Sequence, residues 1–216
     1  LGIRVVEVIP HRLKDENPDG KIPDFAAKPL RILHAGHLYD LKGTPQLVEA
    51  FGQLAPAFPD WRLVLMGEFL SPYSEEACRR RCRELGIEDR VDITGVLRGD
   101  KKAEQFRSAH LFVFASVAPY ESFGLVMAEA MMWGLPMVVT DWRGNRDVAD
   151  PQSFYCPVQA DLAASLKEAL GRALGAPVLW AGLASSSRGR FKQCFSSSGA
   201  DLVYPRLVGR LLEPSA

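Results

Sequence analysis

The chain alternates between short runs of consecutive apolar residues and longer stretches in which apolar residues recur every three or four positions. Short apolar runs bounded by turn residues predict buried strands, and apolar residues at helical spacing predict helices with one buried face. We predict strands at residues 30–35, 61–66, 91–94, 111–115, 136–140 and 153–156. We predict helices at residues 44–54, 75–85, 101–108 and 160–174, with a helical turn at 145–149.

This alternation of strands and helices predicts an α/β fold built on a doubly wound, mainly parallel sheet. In such sheets ligands bind outside the carboxyl ends of the strands. We therefore expect the functional residues in the loops that follow the strands.

The stretch at residues 120–136 is predicted to hold a buried central helix. Ser122 is a good N-cap residue, residues 123–132 are nearly all apolar, and Gly134 is a typical C-terminal stop. A helix that is apolar on every side is a buried helix. Glu129 is the only charged residue in this run, and a buried carboxylate needs a partner that the run does not supply.

A second carboxylate, Glu121, lies just before the predicted helix, whose free N–H groups and dipole attract anions. Gly124 in the first turn allows a ligand to approach the backbone closely. Two carboxylates that flank a helix N-terminus suit a ligand with both hydroxyls and phosphates, such as a nucleotide sugar. The alternative is a core helix in which Glu129 points to an edge and Glu121 only complements the helix dipole.

This stretch resembles the E-x7-E signature of the retaining glycosyltransferases of family 4, which have the GT-B fold of two Rossmann-like domains. The matching positions are Glu121, Phe123, Gly124, Leu125, Glu129 and residues 134–139. The resemblance implies a Rossmann-like domain that forms the C-terminal half of such an enzyme. It also implies that Glu129 binds the ribose hydroxyls of a nucleoside-diphosphate sugar and that Glu121 binds the donor sugar as a catalytic residue. The segment Ser122, Phe123, Gly124 and Leu125 would contact sugar and phosphate.

The loop after the first predicted strand contains Gly36, His37 and Lys42, directly before a helix. A lysine there is well placed to meet a phosphate, although a solvated loop lysine is the commoner case. In the family that this chain resembles, an arginine and a lysine hold the donor diphosphate in this loop. Lys42 matches and is assigned a catalytic role, whereas His37 replaces the arginine. The same resemblance places the nucleobase against the backbone near Val96.

The resemblance also implies a division of the chain into three parts. It implies that residues 1–29 are the end of an N-terminal domain and a linker, with a strand at 3–9. Residues 30–175 would form the nucleotide-sugar-binding domain. Residues 176–216 would form C-terminal helices, broken near the serines at 185–187 and 196–198, with a last helix near 202–212. The N-terminal acceptor-binding domain would be absent from this chain, and a glycan or lipid-linked sugar would be the acceptor.

Composition narrows the class of protein. The 26 basic residues balance 26 acidic ones, so nucleic acid is not expected as a partner. The apolar fraction of 47% is typical of a globular chain, and no apolar run approaches a membrane span. The four cysteines lack the spacing of a metal site and are expected to be reduced thiols. We expect a cytoplasmic protein, peripheral at the inner membrane face, and the GT-B resemblance implies transfer with neither metal nor cofactor.

Two other hypotheses remain. A non-catalytic domain could keep the same fold, and it would be favoured by His37 and by Arg143, which stands where the family has glycine. An NAD-binding domain would need G-x-G-x-x-G after the first strand, which the sequence lacks. Trp142 and Arg143 are interpreted as structural or acceptor-side residues. His34 and His110 lie in or beside apolar strands and are expected to be core residues.

Overall fold

Six parallel strands form one sheet in the computed structural model, which describes residues 11–121 and 123–197. The strands are β1 Leu30–Ala35, β2 Trp61–Met66, β3 Val91–Gly95, β4 Leu111–Phe114, β5 Met137–Asp141 and β6 Phe154–Pro157. Their order across the sheet is β3-β2-β1-β4-β5-β6, and each neighbouring pair is parallel. The chain therefore reverses its winding direction between β1 and β4, which confirms the predicted doubly wound sheet.

Helices cover both faces of the sheet. They are α1 Thr44–Leu54, α2 Glu75–Glu84, α3 Gly99–Arg107, α4 Leu125–Met132, α5 Asn145–Val148, α6 Leu162–Leu174 and α7 Pro177–Arg190. One buried cluster joins the sheet to α1, α2 and α6, and a second joins it to α3, α4 and the π-helical turn Phe191–Phe195. Strands that are buried on both faces must be apolar throughout, which is why the sequence shows them as continuous runs.

The central helix begins later than the sequence predicts. Helix α4 begins at Leu125, and Gly124 precedes it with a left-handed φ of 58°. An added Cβ at Gly124 would lie 2.9 Å from Phe114 Cζ and 2.9 Å from Met127 Cε, so this turn fits only glycine without rearrangement. Ser122, the predicted cap, lies outside the described residues. The turn at Gly124 thus sets the start of the helix that carries Glu129.

Thr44 is not the N-cap of helix α1, although threonine is a common capping residue. Gly43 caps helix α1 with a φ of 70°, and Thr44 is the first helical residue. The Thr44 hydroxyl instead contacts His34 Nε2 at 3.1 Å. A tertiary partner for this hydroxyl replaces the local backbone bond that a capping threonine would make.

The serines at 185–187 do not break helix α7, contrary to the sequence-based expectation. Ser185 Oγ donates to the Ala181 carbonyl one turn back, while Ser187 Oγ donates to the Leu135 carbonyl at 2.8 Å. Hydroxyls satisfied in these ways do not compete with the helix, so α7 continues to Arg190. The predicted strand at 3–9 and the predicted helix near 202–212 lie outside the described residues.

Candidate functional site

A cavity of about 580 Å³ opens at the carboxyl ends of the central strands. Eight of the residues proposed from the sequence line it: Gly36, His37, Lys42, Val96, Glu121, Gly124, Leu125 and Glu129. They come from loops and from helix α4, which are far apart in the chain but meet at one edge of a parallel sheet. Phe123 is not among the lining residues, because its ring packs against the rings of His11 and Phe195.

Lys42 and Glu121 form an ion pair in this cavity. Lys42 Nζ donates to Glu121 Oε2, and the two side chains are only 19% and 11% exposed. Ser116 Oγ donates to the same carboxylate oxygen at 2.8 Å. The glutamate is thus held by a cation and a hydroxyl at the end of β4.

A buried polar network supports Ser116 from behind. Thr140 Oγ1 donates to the Ser116 carbonyl at 2.6 Å, and Asn145 Nδ2 donates to Thr140 Oγ1 and to the Thr140 carbonyl, both at 3.1 Å. Thr140 and Asn145 are 0% and 2% exposed. A satisfied buried network of this kind rigidifies its surroundings. It holds Ser116 in place, and Ser116 in turn holds the Glu121 carboxylate.

The loop that carries Lys42 is fixed by close backbone contact. An added Cβ at Gly43 would lie 2.4 Å from the Ala115 carbonyl oxygen, and an added Cβ at Gly67 would lie 1.7 Å from the Gly36 carbonyl oxygen. The loops that follow β1, β2 and β4 therefore interlock through glycines. His37 lies on the exposed side of the same loop and faces the cavity.

His34 lies beneath the loop, in β1. It is 3% exposed, and burial lowers its pKa to about 4, so the ring is neutral near pH 7. Its Nδ1 then carries the proton and donates to the Val113 carbonyl at 3.0 Å, since a carbonyl can only accept. Its Nε2 accepts from the Thr44 hydroxyl. His34 and His110 are both buried, as predicted, and burial also lowers the pKa of His110.

Glu129 has the partner that its position requires. Lys102 of α3 donates from Nζ to Glu129 Oε1 at 2.5 Å, and the side chains are 35% and 26% exposed. The sequence indicates that a partner is needed but does not identify Lys102, which lies in a different helix. Ion pairs between helices depend on tertiary packing and leave no local spacing signal.

Sequence reasoning missed several other residues of the cavity wall. They are His34, Met66, Glu68, Leu97, Arg98, Lys102 and Ser116. The positions at strand carboxyl ends, such as Ser116 after β4, could have been found from the general rule for ligand sites in these sheets.

Arg143 has a φ of 47°, the one left-handed non-glycine residue among those described. This conformation suits the glycine found there in the family that the sequence resembles. Trp142 Nε1 donates to the Ala118 carbonyl at 3.1 Å. Neither residue lines the cavity, and the bond to Ala118 agrees with a structural role for Trp142.

Other features bear on the class of protein. Within residues 11–121 and 123–197, no group of three or more histidine, cysteine, aspartate or glutamate side chains could hold a metal ion. No helix in this part of the chain is long and apolar enough to cross a membrane. Cys78, Cys82 and Cys156 are buried free thiols, and Cys194 is half-buried and free.

The fold is α/β and Rossmann-like, and it matches the fold of solved GT-B glycosyltransferase structures. The family model for glycosyl transferases group 1 matches residues 29–175, and the chain belongs to that family. Mannosylfructose-phosphate synthase of Agrobacterium fabrum is 35% identical over 114 residues, which cover 50% of this chain and 25% of that protein. The chain thus spans about a quarter to a third of the length of the curated relatives it matches.

Solved structures show the same fold. Anabaena HepE in complex with UDP superimposes with a TM-score of 0.71 at 22% identity, covering 84% of this chain and 49% of that one. The C-terminal domain of LpcC, a group 1 family protein of Francisella tularensis, superimposes with a TM-score of 0.66 at 19% identity. That match covers 87% of this chain and 95% of that domain. The shared unit corresponds to about half of the HepE chain and to nearly all of the LpcC domain.

Proposed function

We propose that this chain is the donor-binding domain of a retaining glycosyltransferase of family 4. The enzyme would transfer a sugar from a nucleoside-diphosphate sugar to a growing glycan or a lipid-linked sugar, on the cytoplasmic side of a membrane. One observation carries the proposal: Lys42, Glu121 and Glu129 line one cavity at the carboxyl ends of parallel strands. Membership of the glycosyl transferases group 1 family supports it.

The chemistry of the cavity wall suits the parts of such a donor. In this proposal the Glu129 carboxylate accepts hydrogen bonds from the ribose hydroxyls, and Lys42 binds the diphosphate. The free N–H groups at the start of α4, near Leu125, add to the attraction for phosphate. Glu121, next to Lys42, accepts from hydroxyls of the donor sugar. That HepE has been solved with UDP is a reason to include uridine nucleotides among the probes.

In this proposal Lys42 interacts with two anions, the Glu121 carboxylate and the donor diphosphate. Without a donor, Glu121 neutralises it, so the lysine is already held inside the cavity. When a diphosphate enters, its two or more negative charges compete with a single carboxylate for the ammonium. The lysine can then stay close to both, and it neutralises the charge that develops on the leaving diphosphate during transfer. The start of α4 assists, and no metal is required for this role.

The acceptor would be bound by a separate N-terminal domain. The relatives are about three to four times as long as the matched segment, which leaves room for such a domain in the full-length protein. Transfer requires donor and acceptor to be held in contact with water kept out. The proposal therefore assigns donor binding to this chain and transfer to the two-domain protein.

The test is a transfer assay on the full-length protein that contains this chain. UDP, GDP and ADP sugars are supplied with candidate acceptors, and the anomeric configuration of the product is read by proton NMR, with and without EDTA. We expect retention of configuration and no loss of rate with EDTA. Inversion, or a strict requirement for a divalent metal, would overturn the proposed mechanism. Nucleotide binding without transfer to any acceptor tested would favour a non-catalytic domain.

A further inference from the structure

Lys102 and Glu129 lie where two cavities meet. Both residues line the large cavity already described, and both also line a second cavity of about 260 Å³. The second cavity is lined by helices α3 and α4 and by the segment around Leu13. Since their ion pair faces both spaces, it can set how a ligand in the large cavity meets Glu129.

The position of Lys102 is constrained by its surroundings. Its Nζ lies 5.9 Å from the centre of the Phe106 ring, one turn along α3, in a cation–π contact. Phe106 is itself buried and stacks on Phe112 of β4, with ring centres 6.2 Å apart. The lysine is thus held by an aromatic side chain that the core fixes, and it is not a free surface cation.

The bond to Lys102 uses one side of the Glu129 carboxylate. Lys102 binds Oε1, and an ionised carboxylate offers about four lone-pair directions in all. Oε2 and the remaining lone pair of Oε1 are left to accept two further donors. A ribose presents its 2′ and 3′ hydroxyls as two adjacent donors, which matches that remaining capacity.

We propose that Lys102 is a positioning residue for ribose recognition, which holds the Glu129 carboxylate in one orientation before the nucleotide arrives. The inference rests on the proposed function, because it assumes that Glu129 meets the ribose. Preorganisation of this kind raises affinity by removing the cost of ordering the side chain on binding. The effect is confined to the hydroxyls that donate hydrogen bonds to Glu129, so it distinguishes ribose from deoxyribose.

Three other roles for Lys102 predict different results. If Lys102 were a phosphate-binding cation, its loss would weaken pyrophosphate and nucleotides alike. If it were a competitor that ligands must displace, its loss would strengthen ribonucleotide binding. If the pair only tied α3 to α4, its loss would lower stability and would leave the preference for ribose unchanged.

The experiment compares the wild-type chain with Lys102→Met and Lys102→Arg by calorimetry. Lys101→Met is the matched control, since Lys101 is exposed on the same helix and lines neither cavity. The probes are UDP, GDP and ADP, each beside its 2′-deoxy analogue, together with pyrophosphate. Thermal unfolding of every variant checks the fold, and the ribose preference is a ratio within one variant, so it does not depend on small stability changes.

We expect Lys102→Met to weaken the binding of the preferred ribonucleotide about tenfold, an effect the size of one charge-assisted hydrogen bond. The deoxy analogue and pyrophosphate should change less than twofold, and Lys102→Arg should retain most of the preference. An unchanged ribose preference in Lys102→Met, with the wild type discriminating, overturns the inference alone. A wild type that binds no nucleotide overturns the proposed function as well.

Discussion

Lys42 and Glu121 are bonded to each other inside the cavity although 79 positions separate them in the chain. The first follows β1 and the second follows β4, and these two strands are neighbours at the centre of the sheet. The reversal of winding between β1 and β4 therefore brings one cation and one anion together. In the proposed function this pair binds the two chemically different halves of a sugar diphosphate.

Replacing Lys42 with methionine should weaken nucleoside diphosphate binding about tenfold or more, because one charge-assisted contact is lost and Glu121 is left unneutralised. Nucleosides without phosphate should be much less affected. Calorimetry with both ligand types measures the difference. Lys28→Met is the control, since Lys28 pairs with Asp60 at the opposite end of β1. Equal weakening by both substitutions would remove Lys42 from the phosphate site.

Substitution of His37 by arginine should tighten diphosphate binding by up to about fivefold at low salt, since an exposed ion pair contributes up to ~1 kcal/mol. Arginine supplies a permanent charge and a planar donor fork at a position that lines the cavity. The gain should shrink as salt is added. A weaker affinity for the arginine variant at low salt would show that His37 has its own role.

Gly43 and Gly86 provide a matched test of the interlocked loops. Both have a left-handed φ, 70° and 66°, but an added Cβ meets the Ala115 carbonyl at 2.4 Å only at Gly43. Gly86→Ala should lower the free energy of unfolding by about 1 kcal/mol, from backbone strain alone. Gly43→Ala should lower the free energy of unfolding by about 1–3 kcal/mol more, because the loops that carry Gly43 and Ala115 must also move apart. Urea unfolding measures both, and equal costs would contradict the close packing of Gly43.

The neutral state of His34 predicts a pH dependence of stability. Burial lowers its pKa to about 4 in the native state, below the ordinary value of 6.5. Above pH 6.5 the protonation of His34 does not lower the free energy of unfolding. As the pH falls from 6.5 to 4, the unfolded chain binds a proton that the native His34 does not. The native state therefore loses roughly 3 kcal/mol over that interval.

Urea unfolding at pH 7, 6, 5 and 4 tests this for the wild type and for His34→Gln. The variant should be less stable at pH 7, because the bonds to Val113 and Thr44 change, but its curve should be flatter below pH 6.5. His110 also has a lowered pKa, and its contribution is common to both proteins and cancels in the comparison. Parallel curves would contradict a neutral His34.

The strands and most helices could be predicted because the local pattern of apolar residues indicates which positions are buried. Residues 30–35 and 61–66 are apolar runs, and they form β1 and β2 over the same residues. The need of Glu129 for a partner was visible for the same reason, as a single charge in an apolar helix. These inferences depend only on neighbours in the chain.

The parts that could not be predicted depend on distant contacts. Lys102 reaches Glu129 from another helix, and the start of α4 is set by the contact of Gly124 with Phe114. Thr44 and Ser187 have polar side chains whose partners, His34 and the Leu135 carbonyl, are found only in the folded domain. Local rules predict what such residues can do and not which partner they find.

The central claim is that this cavity binds a nucleoside diphosphate through Glu129, and calorimetric titration of the chain with UDP, GDP and ADP tests it most directly. We expect one of them to bind with one-to-one stoichiometry. Glu129→Gln should weaken that binding roughly tenfold to a hundredfold while the circular dichroism spectrum persists. Glu104→Gln, an exposed position on α3, should change nothing. No binding of any of the three, or equal affinity of wild type and Glu129→Gln, would contradict the claim.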